Sequence, residues 1–383
     1  MVSGQPRNFT IDVLRGISIC LVLLLHFHLS YSLLESPLAL VLPEDSIKAL
    51  VRNGNYGVTM FFVISGYLIT STTVKRYGTL AAVDVPSFYA FRFARIVPCL
   101  VLALALIVGL GAIGQPAFTN TAKPGWPAVD TMMAVLSVLT FWHNILMQHA
   151  WYFNYAMNIY WSLSVEEMFY LVFPLLCFAL KRPRIIVAVW LLAIALGPVY
   201  RSFHTDDEIY FMYAYQACFD AIAFGCCAAL VAQKINLKGV RGKAVRIAAA
   251  LLMGATYLAG IHGHEVFGFT LVAAGTAVLL VGAQGEQVPA WLYRSHMLAG
   301  LRWLGRHSYE LYLFHIIVLG LMRGFWPRGT LAYADKAPAM VAFVALSALT
   351  AGIIARFYAE PLNAGLRAAF LKVRSAPARQ GGY

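Results

Sequence analysis

Residues 11–33 read IDVLRGISICLVLLLHFHLSYSL. The run is apolar over about 20 residues, the length a helix needs to cross the hydrocarbon of a bilayer. It is too long for the core of a cleaved leader, and no small-residue cleavage site ends it. It is therefore expected to stay as a first transmembrane helix. Its exceptions are Asp12, Arg15, His26 and His28. Asp12 and Arg15 are three apart and share a helical face. Arg15 and His26 are separated by three turns and lie on one face about 16 Å apart. Such a face carries a guanidinium near one end and an imidazole toward the other. Taken alone, Arg15 reads as a snorkelling anchor or a ligand, and His26 as a hydrogen-bonded core histidine or a base.

The same kind of run recurs along the chain. Further spans are expected at 55–75, 94–113, 161–180, 185–203, 210–232, 245–262, 266–284, 307–326 and 337–357. The 383 residues are 60% hydrophobic and 12% charged, against about 25% charged in a soluble globular protein. Too little polar surface remains to face water. The expected fold is all-α: a polytopic membrane protein of about ten transmembrane helices. Residues 1–374 form one membrane domain and 375–383 a disordered cytoplasmic tail, with no appended soluble module. The six cysteines fall in or beside apolar runs, with neither zinc spacing nor a disulfide framework, and no metal site is expected.

Charge sets the orientation. The net charge is +12, and the basic residues cluster between the apolar runs, as in cytoplasmic loops. Lys75 and Arg76 follow the second span; Lys181, Arg182 and Arg184 follow the fourth. Lys234, Lys238, Arg241, Lys243 and Arg246 form the strongest basic loop. Arg294, Arg302 and Arg306 form another, and Arg367, Lys372, Arg374 and Arg379 lie in the tail. Placing all of them inside requires both termini cytoplasmic and ten crossings. It also requires that the apolar segment 129–147 does not cross. That segment, with the polar end Trp142-His143-Asn144, is expected to be re-entrant, lining a wet cavity. No stretch interleaves basic residues with exposed aromatics, so nucleic-acid binding is excluded.

Charge inside a membrane is costly and usually serves function. The fourth span opens Trp161-Ser-Leu-Ser-Val-Glu166-Glu167-Met-Phe-Tyr170. Ser164-Val-Glu-Glu167 fits a capping box, so one glutamate is expected to cap the helix while the other faces a cavity; the pattern leaves open which. The sixth span carries Gln216 and Asp220. The ninth carries Ser308, Tyr309, Glu310, Tyr312 and His315. Asp220 and His315 read either as a buried polar pair or as part of an acceptor path. Arg92 and Arg95, in the loop into the third span, share a face at the cytoplasmic surface. They read as positive-inside anchors or as a fork that binds phosphate.

Several of these segments resemble one family, the acyltransferase-3 membrane acyltransferases. These O-acylate bacterial surface polysaccharides, related glycoconjugates and some small secreted metabolites. The matching segments are Arg15 and His26 with ten residues between them; Gly57–Ile69 around Phe61-Phe62-Val-Ile-Ser65-Gly66; Arg92-x-x-Arg95; Trp161–Tyr170, with Met168 where the family usually has Gln; Phe219-Asp220-x-x-x-x-Gly225; Gly305–His315; and Glu360-Pro361. They run in order from residue 11 to 361.

The resemblance implies a ten-helix fold in a bacterial inner membrane. It also implies a cytoplasmic acyl-CoA donor, expected to be acetyl-CoA, and a hydroxyl acceptor on a carbohydrate or glycolipid at the outer side. No other cofactor is implied. His26 is the expected base, and one of Glu166 and Glu167 is expected to orient it or receive its proton. Arg15, Arg92 and Arg95 are expected to hold the donor phosphates. Asp12, Asp220, Tyr309 and His315 are expected around the cavity or the acceptor. O-acylation of a small metabolite and a non-enzymatic transporter or flippase are the competing readings.

Overall fold

Asn8 starts the first helix: its side-chain oxygen accepts from the Ile11 amide at 3.2 Å, satisfying a donor that helix ends leave free. The helix, α1 (Phe9–Tyr31), ends where Ser32 turns left-handed. Just beyond, the Leu33 amide donates to the ring of His28, so His28 closes the helix end. The computed structural model describes residues 8–235, 237, 239–284 and 288–375. Lys238, Arg379 and all of the expected tail 375–383 after Ser375 lie outside the described residues.

Every expected span is helical, the sixth broken at Ala214 between Glu208–Tyr213 and Tyr215–Val231. They are α1, α2 (Asn55–Tyr77), α3 (Val85–Ala112), α4 (Tyr160–Leu180), α5 (Pro183–Ser202), α6 (Tyr215–Val231), α7 (Gly239–Ala259), α8 (Gly268–Gly282), α9 (Ser308–Phe325) and α10 (Lys336–Ile354). One further long helix follows, α11 (Glu360–Ser375). Among the described residues, eight helical stretches are long and apolar enough to cross a membrane. α8 is apolar but has 15 residues. α9 has 18 and carries Glu310, His315 and Arg323.

Segment 129–147 does not form one helix. It becomes two short ones, Thr131–Leu139 and His143–Ala150, broken where Phe141 takes φ 65°. At 1.5 Å per residue neither reaches half of the roughly 30 Å of hydrocarbon.

α2 lies at the centre and is the most enclosed of the spans. It crosses α6 at very close range. A Cβ on Gly66 would stand 2.1 Å from the Ile222 carbonyl oxygen, and one on Gly225 would stand 1.9 Å from that of Val63. Reciprocal glycines of this kind let two membrane helices pack backbone to backbone. The glycine of the Asp220-x-x-x-x-Gly225 segment is therefore a packing residue. α5, α7 and α10 turn leucine, valine and isoleucine faces outward, as helices in contact with lipid do.

Two expectations about local structure need correction. The third helix begins at Val85, not near 94, so Arg92 and Arg95 lie inside α3 rather than in the loop before it. The apolar run starts late, but a proline in the first helical turn and the aromatic-rich Phe88–Phe93 stretch carry the helix back toward the interface. The capping box at Ser164 does not form either. α4 starts at Tyr160, and the Ser164 hydroxyl donates to the Tyr160 carbonyl one turn back, at 3.2 Å. Glu166 and Glu167 thus sit in the second turn, past the helix end, and are free for the interior.

Candidate active site

A cavity of about 330 Å³ lies between α2, α3, α4 and α9, at the lower end of the range for small-molecule sites. Five arginines line it: Arg15 from α1, Arg76 from α2, Arg92 and Arg95 from α3, and Arg367 from α11. The cavity also takes Ser65, Glu166, Glu167, Tyr170, Ser308, Tyr309 and Tyr312. The three arginines singled out in the sequence do converge. Arg76 and Arg367 join them; both stand in basic clusters that read equally well as cytoplasmic anchors, and nothing in the pattern separates them from their neighbours.

The arginines are held mainly by neutral groups. Arg15 Nε donates to Ser308 Oγ at 3.0 Å. Arg92 lies over the Tyr170 ring at 4.0 Å. Arg76 and Arg367 both lie over the Phe91 ring, at 4.4 and 5.2 Å. Among the described residues none of the five makes an ion pair within 4 Å. Burial and the charges of Arg95, Arg76 and Arg92 push the Arg367 guanidinium below its ordinary pKa. Five arginines outnumber the two glutamates of the same cavity, an excess of positive charge that suits an anion, and arginine forks suit phosphate oxygens.

The two glutamates divide their work. Glu166 accepts from Ser65 Oγ at 2.6 Å and from the Tyr170 hydroxyl. Glu167 is buried, and its Oε1 has no hydrogen-bond partner among the described residues. A buried polar atom left unpaired is costly, and Glu167 lines the cavity.

His26 is not in the cavity wall. Its Nδ1 lies 2.9 Å from the Val22 carbonyl and 3.4 Å from His315 Nε2. The neighbour that meets its ring is thus His315 rather than a glutamate. His315 is fully buried, with its ring centroid 5.0 Å from that of His26 and 6.0 Å from that of Tyr312. Since Tyr312 lines the cavity, the histidine pair lies about one side chain beyond the cavity wall.

The remaining expected residues scatter. Tyr309 lines the cavity, and its hydroxyl donates to the Ile96 carbonyl at 2.8 Å. Asp12 leaves the cavity to pair with Arg306 at 3.0 Å. Asp220 and His315 do not pair with each other. Asp220 is buried against Arg201 on α5 at 2.7 Å, and Thr270 bridges the two. Arg201 is a charge inside a span, and the rule that flags Asp220 flags it too. Its place two residues before the expected end of its span conceals it among terminal anchors.

Comparison with known proteins agrees with the motif order. The Acyltransferase domain family, acyltransferase-3, matches residues 8–356. O-acetyltransferase OatA of Staphylococcus aureus (strain NCTC 8325 / PS 47) is 27% identical over 334 residues, covering 82% of this chain and 53% of that protein. Peptidoglycan O-acetyltransferase OatA of Listeria monocytogenes is 24% identical over 332 residues, covering 82% and 49%. The chain thus spans about half the length of the curated relatives it matches. No solved structure matches it. With the family aligned from residue 8 to residue 356, the chain belongs to the acyltransferase-3 family of membrane acyltransferases.

Proposed function

We propose that the protein is a membrane O-acyltransferase that takes an acyl group, expected to be acetyl, from cytoplasmic acyl-CoA and delivers it to a hydroxyl of a carbohydrate or glycolipid at the outer side. The observation that carries this reading is the cavity: five arginines that make no ion pair within 4 Å among the described residues line it together. A phosphate-rich donor supplies the missing anion. Arg15, Arg92 and Arg95 hold its phosphates, with Arg76 and Arg367 at the mouth. The relatives named O-acetyltransferase support the acetyl donor, and the one named for peptidoglycan supports a cell-wall carbohydrate as acceptor.

The topology that goes with this reading has ten crossings, both termini in the cytoplasm of a bacterial cell and 131–150 as a re-entrant hairpin. α8 and α9 then complete the count. Arg15 lies three turns of α1 below His26, a separation of about 16 Å. A pantetheine arm is long enough to cover it. The phosphates stay at the mouth while the thioester reaches the histidine level, and His26 acts as the base that takes the acceptor proton.

The test is thiol release from acetyl-CoA by membranes that contain the protein, with His26→Ala as the control. His26→Ala is expected to abolish release while the protein is still made and extracted as folded material. Full activity in this variant would remove His26 from the mechanism. No release from the unaltered protein would favour the transporter reading.

A further inference from the structure

The histidine pair has a hydrogen-bond pattern that admits few protonation states. A carbonyl oxygen only accepts, so a ring nitrogen bonded to one must carry the hydrogen. His26 Nδ1 faces the Val22 carbonyl at 2.9 Å. His315 Nδ1 faces the carbonyls of Leu311 at 3.0 Å and Tyr312 at 2.9 Å. Both Nδ1 atoms are therefore donors, and in a neutral ring the other nitrogen is a bare lone pair. His315 Nε2 directs that lone pair at His26 Nδ1, 3.4 Å away. His26 Nε2 is left as the free base.

We infer that His315 is a positioning residue: its Nε2 accepts from His26 Nδ1–H and so fixes the tautomer in which His26 presents Nε2 to the acceptor hydroxyl. The inference rests on the reading of His26 as the base. In the reaction the hydroxyl oxygen attacks the thioester carbonyl carbon, a C–O bond forms and the C–S bond breaks. The hydroxyl proton passes to His26 Nε2 and then to the departing thiolate, so the pair ends as it began. While His26 holds that proton, its Nδ1–H bond to His315 strengthens, because the donor is now charged. A base held in one tautomer by a third group is the general logic of an activated hydroxyl. Here the third group is a neutral imidazole, fully buried and fixed by its own helix. It needs no second charge at membrane depth, which would be costly.

The experiment compares His315→Gln, whose amide oxygen still accepts, with His315→Phe, which keeps the ring volume beside Phe343 and loses the acceptor. Thiol release from acetyl-CoA is measured in membranes holding the full chain. His315→Phe is expected to lower kcat about 10- to 100-fold, less than the roughly 10²- to 10⁴-fold that a general acid or base itself contributes, with the donor KM within twofold. His315→Gln is expected to recover kcat to within about fivefold of the unaltered protein. Equal losses in Gln and Phe, or a normal kcat in Phe, overturn the inference. An active His26→Ala overturns the base reading itself, whatever residue 315 does. A second readout needs no turnover: nitrogen spectra of histidine-labelled protein, with the His26 signals found by difference from His26→Ala. The unaltered protein is expected to show one tautomer at His26, and His315→Gln to keep it. The same single tautomer in His315→Phe would show that the Val22 carbonyl alone sets it.

Discussion

Arg201 and the cavity arginines lie in the same helical body and are treated in opposite ways. Arg201 is buried and fully engaged. It pairs with Asp220 at 2.7 Å, donates to Thr270 at 2.6 Å and to the Val266 carbonyl at 2.9 Å, and reaches the Ala217 carbonyl as well. Arg15, Arg76, Arg92, Arg95 and Arg367 share a cavity wall with Glu166 and Glu167; a serine meets Arg15, and aromatic rings meet Arg76, Arg92 and Arg367. A satisfied arginine holds helices together. An unsatisfied group of arginines waits for an anion. The same residue type serves architecture in one place and recognition in the other, and partner chemistry tells them apart.

Removing one side of the buried pair is expected to have the largest effect. Arg201→Met leaves the buried Asp220 without its cation between α5, α6 and α8, which costs about 3–5 kcal/mol for a buried pair broken on one side. Arg201→Met with Asp220→Leu is expected to recover most of that loss, since a buried pair replaced by apolar groups is often neutral. Thermal unfolding of detergent-extracted protein reads both. A stable Arg201→Met with weakened donor binding would move Arg201 to the recognition group and break the comparison.

The cavity arginines are expected to respond in the reverse sense. Arg92→Ala and Arg95→Ala each remove a charged hydrogen bond to the donor, worth about 1.5–3 kcal/mol, or roughly 10- to 100-fold in donor affinity. Neither gives up an ion pair among the described residues, so unfolding is expected to move by less than about 1 kcal/mol. The donor KM and the unfolding midpoint, measured on the same preparations, check this. Unchanged donor affinity in both would return these residues to plain membrane anchors.

Much of the fold was legible because the bilayer enforces a simple rule. Each expected span is helical, and the segment that loop charge forbade from crossing is broken at Phe141. Helix ends were less legible: α3 extends nine residues earlier than its apolar run, because helices persist into the interface where hydropathy fades. At the site, Arg15, Arg92, Arg95 and Tyr309 converge on one cavity as the resemblance implied, and both Glu166 and Glu167 reach it where the pattern expected one of them to cap the helix. The His26–His315 contact was not legible. Residues 289 positions apart meet only through the packing of α1 against α9, and one sequence carries no signal for that pairing. Arg367 was hidden for a related reason: α11 lies past the last span and past the matched residues 8–356, and only the chain's return toward α3 brings it to the mouth.

That return is fastened at the protein surface, and this is where the smallest effect is expected. Arg374 on α11 pairs with Asp84 and donates to Ser87 at 2.7 Å, at the start of α3. Both charged side chains are substantially exposed, at 50% and 30%, so Arg374→Ala is expected to cost no more than about 1 kcal/mol of stability. The hydrogen bond from Ser87, and then Arg374, holds the Asp84 carboxyl below its ordinary value of 3.8. A depressed carboxylate stabilises the fold above its unfolded pKa and loses that contribution as pH falls through the folded value. The gap between the unaltered protein and Arg374→Ala is therefore expected to stay constant from about pH 8 to pH 5 and to close below about pH 4, near the ordinary aspartate range. Unfolding midpoints across that range check the sign. The same variant sharpens the comparison of arginines: Arg374 fastens α11, and Arg367, two turns earlier, uses the fastening. A donor KM that rises about twofold in Arg374→Ala would show that the tether sets the position of Arg367. An unchanged KM would assign that position to the rings of Phe91 and Phe370, which meet with centroids 6.0 Å apart, and leave the surface pair as architecture alone.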